Sequence, residues 1–212
     1  MLGLSCDLTE QLAFYGAYHS HPVNKAIHFV FVPTIVWATL VWLAAAGPIA
    51  PLPAPLAAAA AQLPPWLGSG VAVNLPLLFL AAYAAFYAAL DPVAGASWTL
   101  VLGAPLAATA TAFQRAVPNA AWWALGVQVV SWYMQIHPGH AVFEGRKPAL
   151  LDSLVQAFAL APLFVWFELL FLLGYRPRLR AELEKRVGRE VAAWRRSQKA
   201  AGGGGGGRRR GA

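Results

Sequence analysis

The sequence predicts an all-α protein that crosses a membrane several times, with four spanning helices and a fifth apolar helical segment. Of its 212 residues, 58% are hydrophobic and only 12% are charged, which is about half the charged fraction of a typical soluble domain. Residues 26–90, 92–114 and 116–143 contain no charged side chain. A soluble domain of this size needs more polar surface than that, so the composition favours a membrane protein.

The neutral stretches divide into segments close to the length, about 20 residues, at which a helix crosses the hydrocarbon core. These segments show no sustained alternation of apolar and polar residues, which argues against strands. In lipid, backbone N–H and C=O groups must also form their hydrogen bonds within the segment, so helices are expected. The third segment is the shortest, and the fifth contains Pro162 and Glu168. The four predicted spans are residues 27–46, 71–90, 98–112 and 120–136, and the fifth segment is residues 154–173.

Further elements flank these spans. A short helix is predicted over residues 8–18, and Pro22 should begin the next helix because proline suits a first turn. The proline-rich connector 47–70 is expected to be irregular, with one helical turn near residues 57–61. A basic amphipathic helix is predicted over residues 179–196. The expected regions are a membrane-embedded domain, a basic cytosolic helix and a disordered Gly/Arg tail, over residues 1–175, 176–200 and 201–212.

The net charge of +7 is concentrated near the C-terminus, because twelve of the sixteen Lys and Arg residues follow residue 175. A basic tail after an apolar body is typical of attraction to an anionic membrane surface, so nucleic-acid binding is not expected. The positive-inside rule predicts that the N-terminus, Arg146 and the tail face the cytosol. A fully crossing fifth segment would separate Arg146 from the tail, so either that segment re-enters or one span is miscounted. The single cysteine, Cys6, excludes an internal disulfide framework.

None of the five histidines lies in the middle of a span. His19, His21 and His28 are near the start of the first span, and His137 and His140 follow the fourth. An even number of crossings separates the two groups, so both should emerge on one membrane face, where they can form one site. Imidazoles with carboxylates favour iron or zinc, and the absence of a cysteine cluster excludes thiolate zinc sites. The alternative is that these histidines only lie at the level of the lipid headgroups.

Other polar residues accompany the histidines. Asn24 and Lys25 fall on the same helical stripe as two of them. After the fourth span, the Pro-Gly pair at residues 138–139 indicates a turn. Glu144 lies four residues after the last histidine, a spacing that suits a metal ligand and its carboxylate partner. Arg146 and Lys147 could hold a substrate carboxylate or serve only as topology charges.

Many of these residues also form a family pattern. In the first half, the pattern consists of Phe14, Tyr15, Tyr18, His19, Pro22, Asn24, Ile27, His28 and the run 31–35. In the second half, it consists of Gly139, His140, Phe143, Glu144, Arg146, Glu168 and the runs 148–150, 160–162, 173–175 and 177–179. Taken together, these residues resemble the membrane 2-hydroxy fatty acid dioxygenase family over roughly residues 8–184, with a variable middle.

The resemblance implies an iron(II)-dependent, multi-spanning enzyme of the endoplasmic reticulum that acts in phytosphingosine degradation. Such an enzyme uses O₂ to shorten a long-chain 2-hydroxy fatty acid by one carbon. The reaction R–CHOH–COOH + O₂ → R–COOH + CO₂ + H₂O balances without a further reductant, so neither a nucleotide nor a 2-oxoglutarate site is required. The substrate would reach the site from the lipid bilayer, with its acyl tail between the spans.

The resemblance also implies residue roles. Glu144 would orient His140 or itself supply a ligand. The implied metal ligands are His19, His28 and His140. The residues expected to bind substrate are Asn24, Lys25 and Arg146.

The chain departs from the family pattern at two places. Many members carry a second histidine where Ser20 stands, and His21 follows it here. His137 and Pro138 replace the usual apolar residues before the Gly-His pair. His21 and His137 are therefore weaker candidates for metal ligands. Rival interpretations are a non-catalytic membrane scaffold, a small-solute transporter, or a haem protein with two histidine ligands.

Overall fold

The structure is a computed structural model that describes residues 7–148 and 154–203. Its architecture is all-α with one short β-ribbon, so the predicted fold class is correct at that level. The chain begins with α1 (Leu8–Tyr18) and α2 (Pro22–Ala44), which start where the sequence predicts. Residues 201–203 belong to the last helix, and the rest of the predicted tail lies outside the described residues.

Local sequence explains the break between α1 and α2. Asp7 caps α1, because its Oδ1 accepts hydrogen bonds from the amides of Thr9 and Glu10 at 2.8 and 3.1 Å. Pro22 begins α2, where a missing N–H has no cost. The ring of His21 caps the same helix by accepting from the Val23 amide at 3.2 Å. The short connection, residues 19–21, therefore lies between the C-terminal end of α1 and the N-terminal end of α2.

The proline-rich connector contains more regular structure than predicted. Its strands, β1 (Pro48–Ala50) and β2 (Val73–Asn74), pair antiparallel. Two short helices lie between them: α3 (Ala54–Ala60), which includes most of the predicted turn, and α4 (Pro65–Gly68). The ribbon joins the end of α2 to the start of the next long helix, so these two helix termini share one end of the molecule.

Three helical segments pack around α2. They are α5 (Leu75–Leu90), a composite of α6 (Pro92–Trp98), the π-helix π1 (Thr99–Gly103) and α7 (Ala104–Ala116), and α8 (Ala120–Met134). The π-helix π2 (Gln135–Glu144) continues α8. The shared core includes Leu40, Tyr87, Trp98, Leu163 and Phe167.

Fewer of the described helices are long and apolar enough to span a membrane than the four that the sequence predicts. Two of them are long and apolar enough to cross a membrane, Pro22–Ala44 and Pro92–Ala116. The predicted span 71–90 corresponds to α5, which has only 16 residues. The predicted span 120–136 corresponds to α8 and the start of π2. A bent helix pair near the C-terminus adds one span if the two halves are counted together.

That bent pair consists of α9 (Leu154–Leu172) and α10 (Pro177–Gly203), whose axes differ by 119°. Asp91, fully buried between α5 and α6, holds the corner. Its carboxylate accepts from the Tyr175 hydroxyl at 3.0 Å, pairs with Arg176 Nε at 2.9 Å and caps α6 at the Ala94 amide. Since α5 runs back from the β-ribbon, α9 ends at the same end of the molecule where α2 begins.

Candidate metal centre

Three buried histidines from distant parts of the sequence meet at that end of the molecule. His19 follows the last residue of α1, His28 lies in the second turn of α2, and His140 lies in π2. Each offers a ring nitrogen, and these atoms all lie within 4.8 Å of one another. The side chains are 1%, 3% and 2% exposed, so the cluster is closed to bulk water. We call these three residues the histidine cluster.

Hydrogen bonds fix which nitrogens face the centre of the histidine cluster. His19 Nδ1 lies 2.8 Å from the Tyr15 carbonyl oxygen, and His28 Nδ1 lies 3.0 Å from that of Asn24. A carbonyl can only accept, so both Nδ1 atoms carry the proton and both Nε2 atoms keep a lone pair. Within the described residues, His19 Nε2 and His140 Nδ1 are buried without a hydrogen-bond partner. Unpaired buried nitrogens are costly unless something binds them, and a metal ion satisfies them.

The protonation of the cluster also suits a metal. Burial lowers the pKa of His140 to about 4. Burial, together with the neighbouring histidines, holds the pKa of His19 well below its ordinary value. Both rings are therefore neutral at physiological pH, which is the form in which imidazole binds a metal.

The segment that carries His140 corrects a prediction. The Pro-Gly pair at residues 138–139 indicates a turn, but the chain stays helical through it as π2. A π-helix tolerates the missing N–H of Pro138 in a ladder that is already distorted, and such segments are common at functional sites. A Cβ on Gly139 would lie 2.6 Å from Asn24 Oδ1 and 3.6 Å from a His28 ring carbon. Only glycine therefore lets π2 approach α2 closely enough to deliver His140.

Glu144 anchors the turn that directly follows His19. Its carboxylate accepts hydrogen bonds from the Ser20 amide at 3.0 Å, the Ser20 hydroxyl, the His21 amide at 2.9 Å and Asn24 Nδ2 at 3.0 Å. Burial alone would raise its pKa, but these donors together lower it, so Glu144 is ionised. The predicted pairing of Glu144 with His140 is not seen among the described residues. His140 Nδ1 has no hydrogen-bond partner among them, and the Glu144 carboxylate points instead to the turn between α1 and α2.

The three expected substrate-binding residues are engaged with the protein itself. Asn24 is fully buried and donates to Glu144 and to the Tyr18 carbonyl. Arg146 donates to the Ala17 carbonyl at 2.8 Å, and its guanidinium lies 3.8 Å from the centre of the Tyr18 ring.

Lys25 forms a 2.7 Å ion pair with Glu168 of α9. Both side chains line a second cavity of about 670 Å³ between α1, α9 and α10, and His19 is also among its lining residues. The pair was not predicted, because its two members are far apart in the sequence and nothing in their local spacing connects them.

The two weaker ligand candidates lie outside the histidine cluster. His21 uses a ring nitrogen to cap α2, and its ring stacks on Phe143 at 5.5 Å. His137 is on the exposed side of π2, where its ring stacks on Tyr133 at 5.5 Å. Tyr15 was missed as a site residue although it lies one turn before His19 on the predicted helix. Its ring stacks on the His19 ring at 4.2 Å, and its carbonyl orients that ring.

A mainly apolar cavity of about 160 Å³ begins at the histidine cluster and follows α2. All three histidines line it, so their unpaired nitrogens lie at its head. Apart from the three histidines, none of the described residues that line the cavity has an acidic or basic side chain. Its remaining walls come from α2, α5, α8 and α9, and include Val32, Val36, Phe79, Tyr83, Trp132, Phe158 and Ala161.

Comparison with known proteins agrees with this chemistry. The model of a protein family described as "2-hydroxy-palmitic acid dioxygenase Mpo1-like" matches residues 6–173. A curated relative, 2-hydroxy-palmitic acid dioxygenase MPO1 of Saccharomyces cerevisiae, is 35% identical over 178 residues, which cover 84% of this chain and 88% of that protein. No solved structure matches the chain.

Proposed function

The chain belongs to the 2-hydroxy-palmitic acid dioxygenase Mpo1-like family, and we propose that it uses O₂ to remove one carbon from long-chain 2-hydroxy fatty acids. The observation that carries this proposal is the meeting of three buried imidazoles, two with unpaired nitrogens, at the head of an apolar cavity. The balanced reaction, R–CHOH–COOH + O₂ → R–COOH + CO₂ + H₂O, needs no other oxidant or reductant.

We propose that His19, His28 and His140 hold Fe(II). Imidazole is a ligand type that suits iron, and a set of three protein ligands would leave room for the substrate and O₂. Bound there, the ion would supply a Lewis acid for the hydroxyl and carboxylate oxygens and the redox chemistry that O₂ requires. Neutral imidazoles leave the two positive charges of the ion uncompensated, so the site would attract a carboxylate without an arginine or lysine in the cavity.

The remaining residues would position these groups. Tyr15 and the Asn24 carbonyl hold two of the rings in one orientation, which is the usual role of hydrogen bonds behind metal ligands. Glu144 fixes the turn that carries His19. Arg146 holds the end of α1 and so acts on the same turn. We assign these residues, with Asn24 and Lys25, to positioning rather than to direct contact with the substrate carboxylate.

The apolar cavity would take the acyl tail and exclude water from the head of the substrate. Its walls are hydrocarbon and aromatic, so a tail gains there roughly what it gains in lipid. The carboxylate and hydroxyl would then lie at the histidine cluster, the polar end of the cavity. Burial of the cluster keeps bulk water from competing for the open positions.

Activity of the purified protein loaded with Fe(II) tests this proposal. With 2-hydroxypalmitate, we expect equal molar amounts of O₂ consumed, CO₂ released and one-carbon-shorter acid formed. Palmitate, which lacks the hydroxyl, should give none of the three and serves as the control substrate. A scaffold or a transporter would consume no O₂ with either acid, and a haem protein would show an intense visible absorption band, so either result would contradict the proposal.

We further propose that the protein lies in the endoplasmic reticulum membrane with α2, α5, the α6–α7 composite and α8 as four crossings. In this arrangement α9 re-enters rather than crosses. Support comes from Tyr175 and Arg176, which bond Asp91 at the end where α2 begins, and from Trp194 of α10, which lies 5.2 Å from the Arg146 guanidinium. The N-terminus, the histidine cluster and α10 would then share the cytosolic face.

Sealed vesicles can test this topology with the native sequence. Cys6 is the single cysteine, and the basic residues of α10 are trypsin sites. We expect a membrane-impermeant maleimide to label Cys6, and trypsin to cleave the tail, in vesicles whose cytosolic face is outward. Both reactions should require detergent in vesicles of the opposite orientation. Labelling and cleavage from opposite sides would show an odd number of crossings and contradict this arrangement.

A further inference from the structure

The apolar cavity has a defined length along α2. On this helix it is lined from His28, at the histidine cluster, through Val32 and Val36 to Thr39. Thr39 comes eleven residues after His28, which corresponds to about 16 Å along a helix axis. One leaflet of a bilayer is about 15 Å of hydrocarbon, half of a core of about 30 Å, and is filled by one long acyl chain. The cavity therefore matches a long-chain tail in length.

A polar bridge between α2 and α8 lies at the Thr39 end of the cavity. Thr39 Oγ1 donates to the Ile35 carbonyl at 2.9 Å and accepts from Gln128 Nε2 at 3.0 Å. Gln128 Oε1 in turn accepts from Trp132 Nε1 at 3.1 Å. Gln128 is only 7% exposed, so breaking the bridge would leave buried polar groups unpaired. A tail that reached Thr39 could advance further only at that cost.

The opposite wall at this end is Phe79. It lies in the second turn of α5, close to the β-ribbon, and Thr39 lies in the last two turns of α2, close to the same ribbon. Both residues line the cavity. The Phe79 ring stacks on Tyr83 at 4.4 Å, which holds it across the end of the cavity.

We propose that Thr39 and Phe79 set the tail length that the protein accepts, with the cavity acting as a ruler measured from the histidine cluster. The proposal rests on the proposed function, because it takes the occupant to be the acyl tail of a 2-hydroxy fatty acid. Each methylene buried in an apolar site increases the binding affinity by a factor of about four. Affinity should therefore rise with each added carbon and stop rising once the tail reaches the Thr39–Gln128 bridge.

The test is a binding series with saturated 2-hydroxy acids from about eight to about eighteen carbons, measured by displacement of a fluorescent fatty acid from the full-length protein. Thr39→Phe should fill the far end, so that the plateau comes about two methylenes earlier and the longest acids bind about tenfold or more weakly. Short acids should bind Thr39→Phe as they bind the wild type. Phe79→Ala should act in the opposite direction, moving the plateau to longer chains.

Thr34→Phe is the matched control. Thr34 lies on the same helix and also donates to the carbonyl four residues before it, but it does not line the cavity. It should leave the plateau in place. Equal weakening of all chain lengths by Thr39→Phe, or the same shift in Thr34→Phe, would overturn the proposed ruler.

Binding is measured without turnover, so the two proposals can fail separately. A wild type that consumes O₂ with 2-hydroxy acids but shows no shift in Thr39→Phe or Phe79→Ala would contradict only the ruler. A wild type that shows the chain-length plateau and its shifts but consumes no O₂ would contradict only the oxidation of the bound acid.

Discussion

Replacing His140 with alanine is expected to abolish metal retention and reduce turnover of 2-hydroxypalmitate by more than about 100-fold. The change removes one of three donors whose nitrogens lie within 4.8 Å of one another, and we expect the two remaining imidazoles to hold the ion much more weakly. Losing only an outer partner of a metal ligand typically costs about 10–100-fold, so losing a ligand should cost more. Metal content by mass spectrometry and O₂ uptake would be measured on the same preparation.

His137→Ala is the control for this variant. His137 lies three residues earlier in π2, but its ring is exposed and stacks on Tyr133. This variant should keep its metal and its activity. If His140→Ala retained wild-type metal content, the histidine cluster would not be the metal site. If it lost metal but kept full turnover, the metal would have no part in the reaction.

The second large effect is expected for Glu144→Gln, which changes almost no volume. One carboxylate oxygen accepts from the amide and hydroxyl of Ser20, and the other accepts from the His21 amide and Asn24. A glutamine that turns its NH₂ group towards Ser20 places it against the Ser20 amide, donor against donor, although the Ser20 hydroxyl can accept from it; turned the other way, it opposes two donors. At least one hydrogen bond is therefore lost. The turn that carries His19 should loosen, and Fe(II) affinity should fall by about 10–100-fold.

Excess Fe(II) distinguishes positioning from a direct chemical role for Glu144. The three ligand histidines remain in Glu144→Gln, so saturating metal should restore most of the turnover. Glu184→Gln, which removes one member of the exposed Arg180–Glu184 ion pair on α10, should behave as the wild type throughout. Wild-type metal affinity in Glu144→Gln, or low activity that excess metal does not raise, would contradict the positioning role.

The sequence predicted features that depend on local chemistry or on simple parity. Asp7 and Pro22 are standard helix-start residues, and α1 and α2 begin beside them. An even number of predicted crossings placed the two groups of histidines on one membrane face, and the family resemblance selected His19, His28 and His140 from them; the structure brings these three together. Neither inference required knowledge of which side chains pack against each other.

Features set by tertiary packing were not predicted. The ion pair between Lys25 and Glu168 and the contact of Arg146 with the end of α1 join residues more than a hundred positions apart. The β-ribbon forms because α2 and α5 hold its two strands side by side, although its proline-rich sequence does not favour strand. Substrate binding by Lys25 and Arg146 was a reasonable expectation from charge alone, but the structure gives both residues partners within the protein.

The π-helical winding of residues 135–144 has a consequence for how the gene can change. Each turn of a π-helix holds more residues than a turn of α-helix, because its hydrogen bonds span five residues instead of four. Inserting one residue before His140 in this stretch, with the π-helical winding kept, would rotate His140 by about 80° away from His19 and His28. The number of residues in this stretch is therefore constrained independently of which side chains it carries.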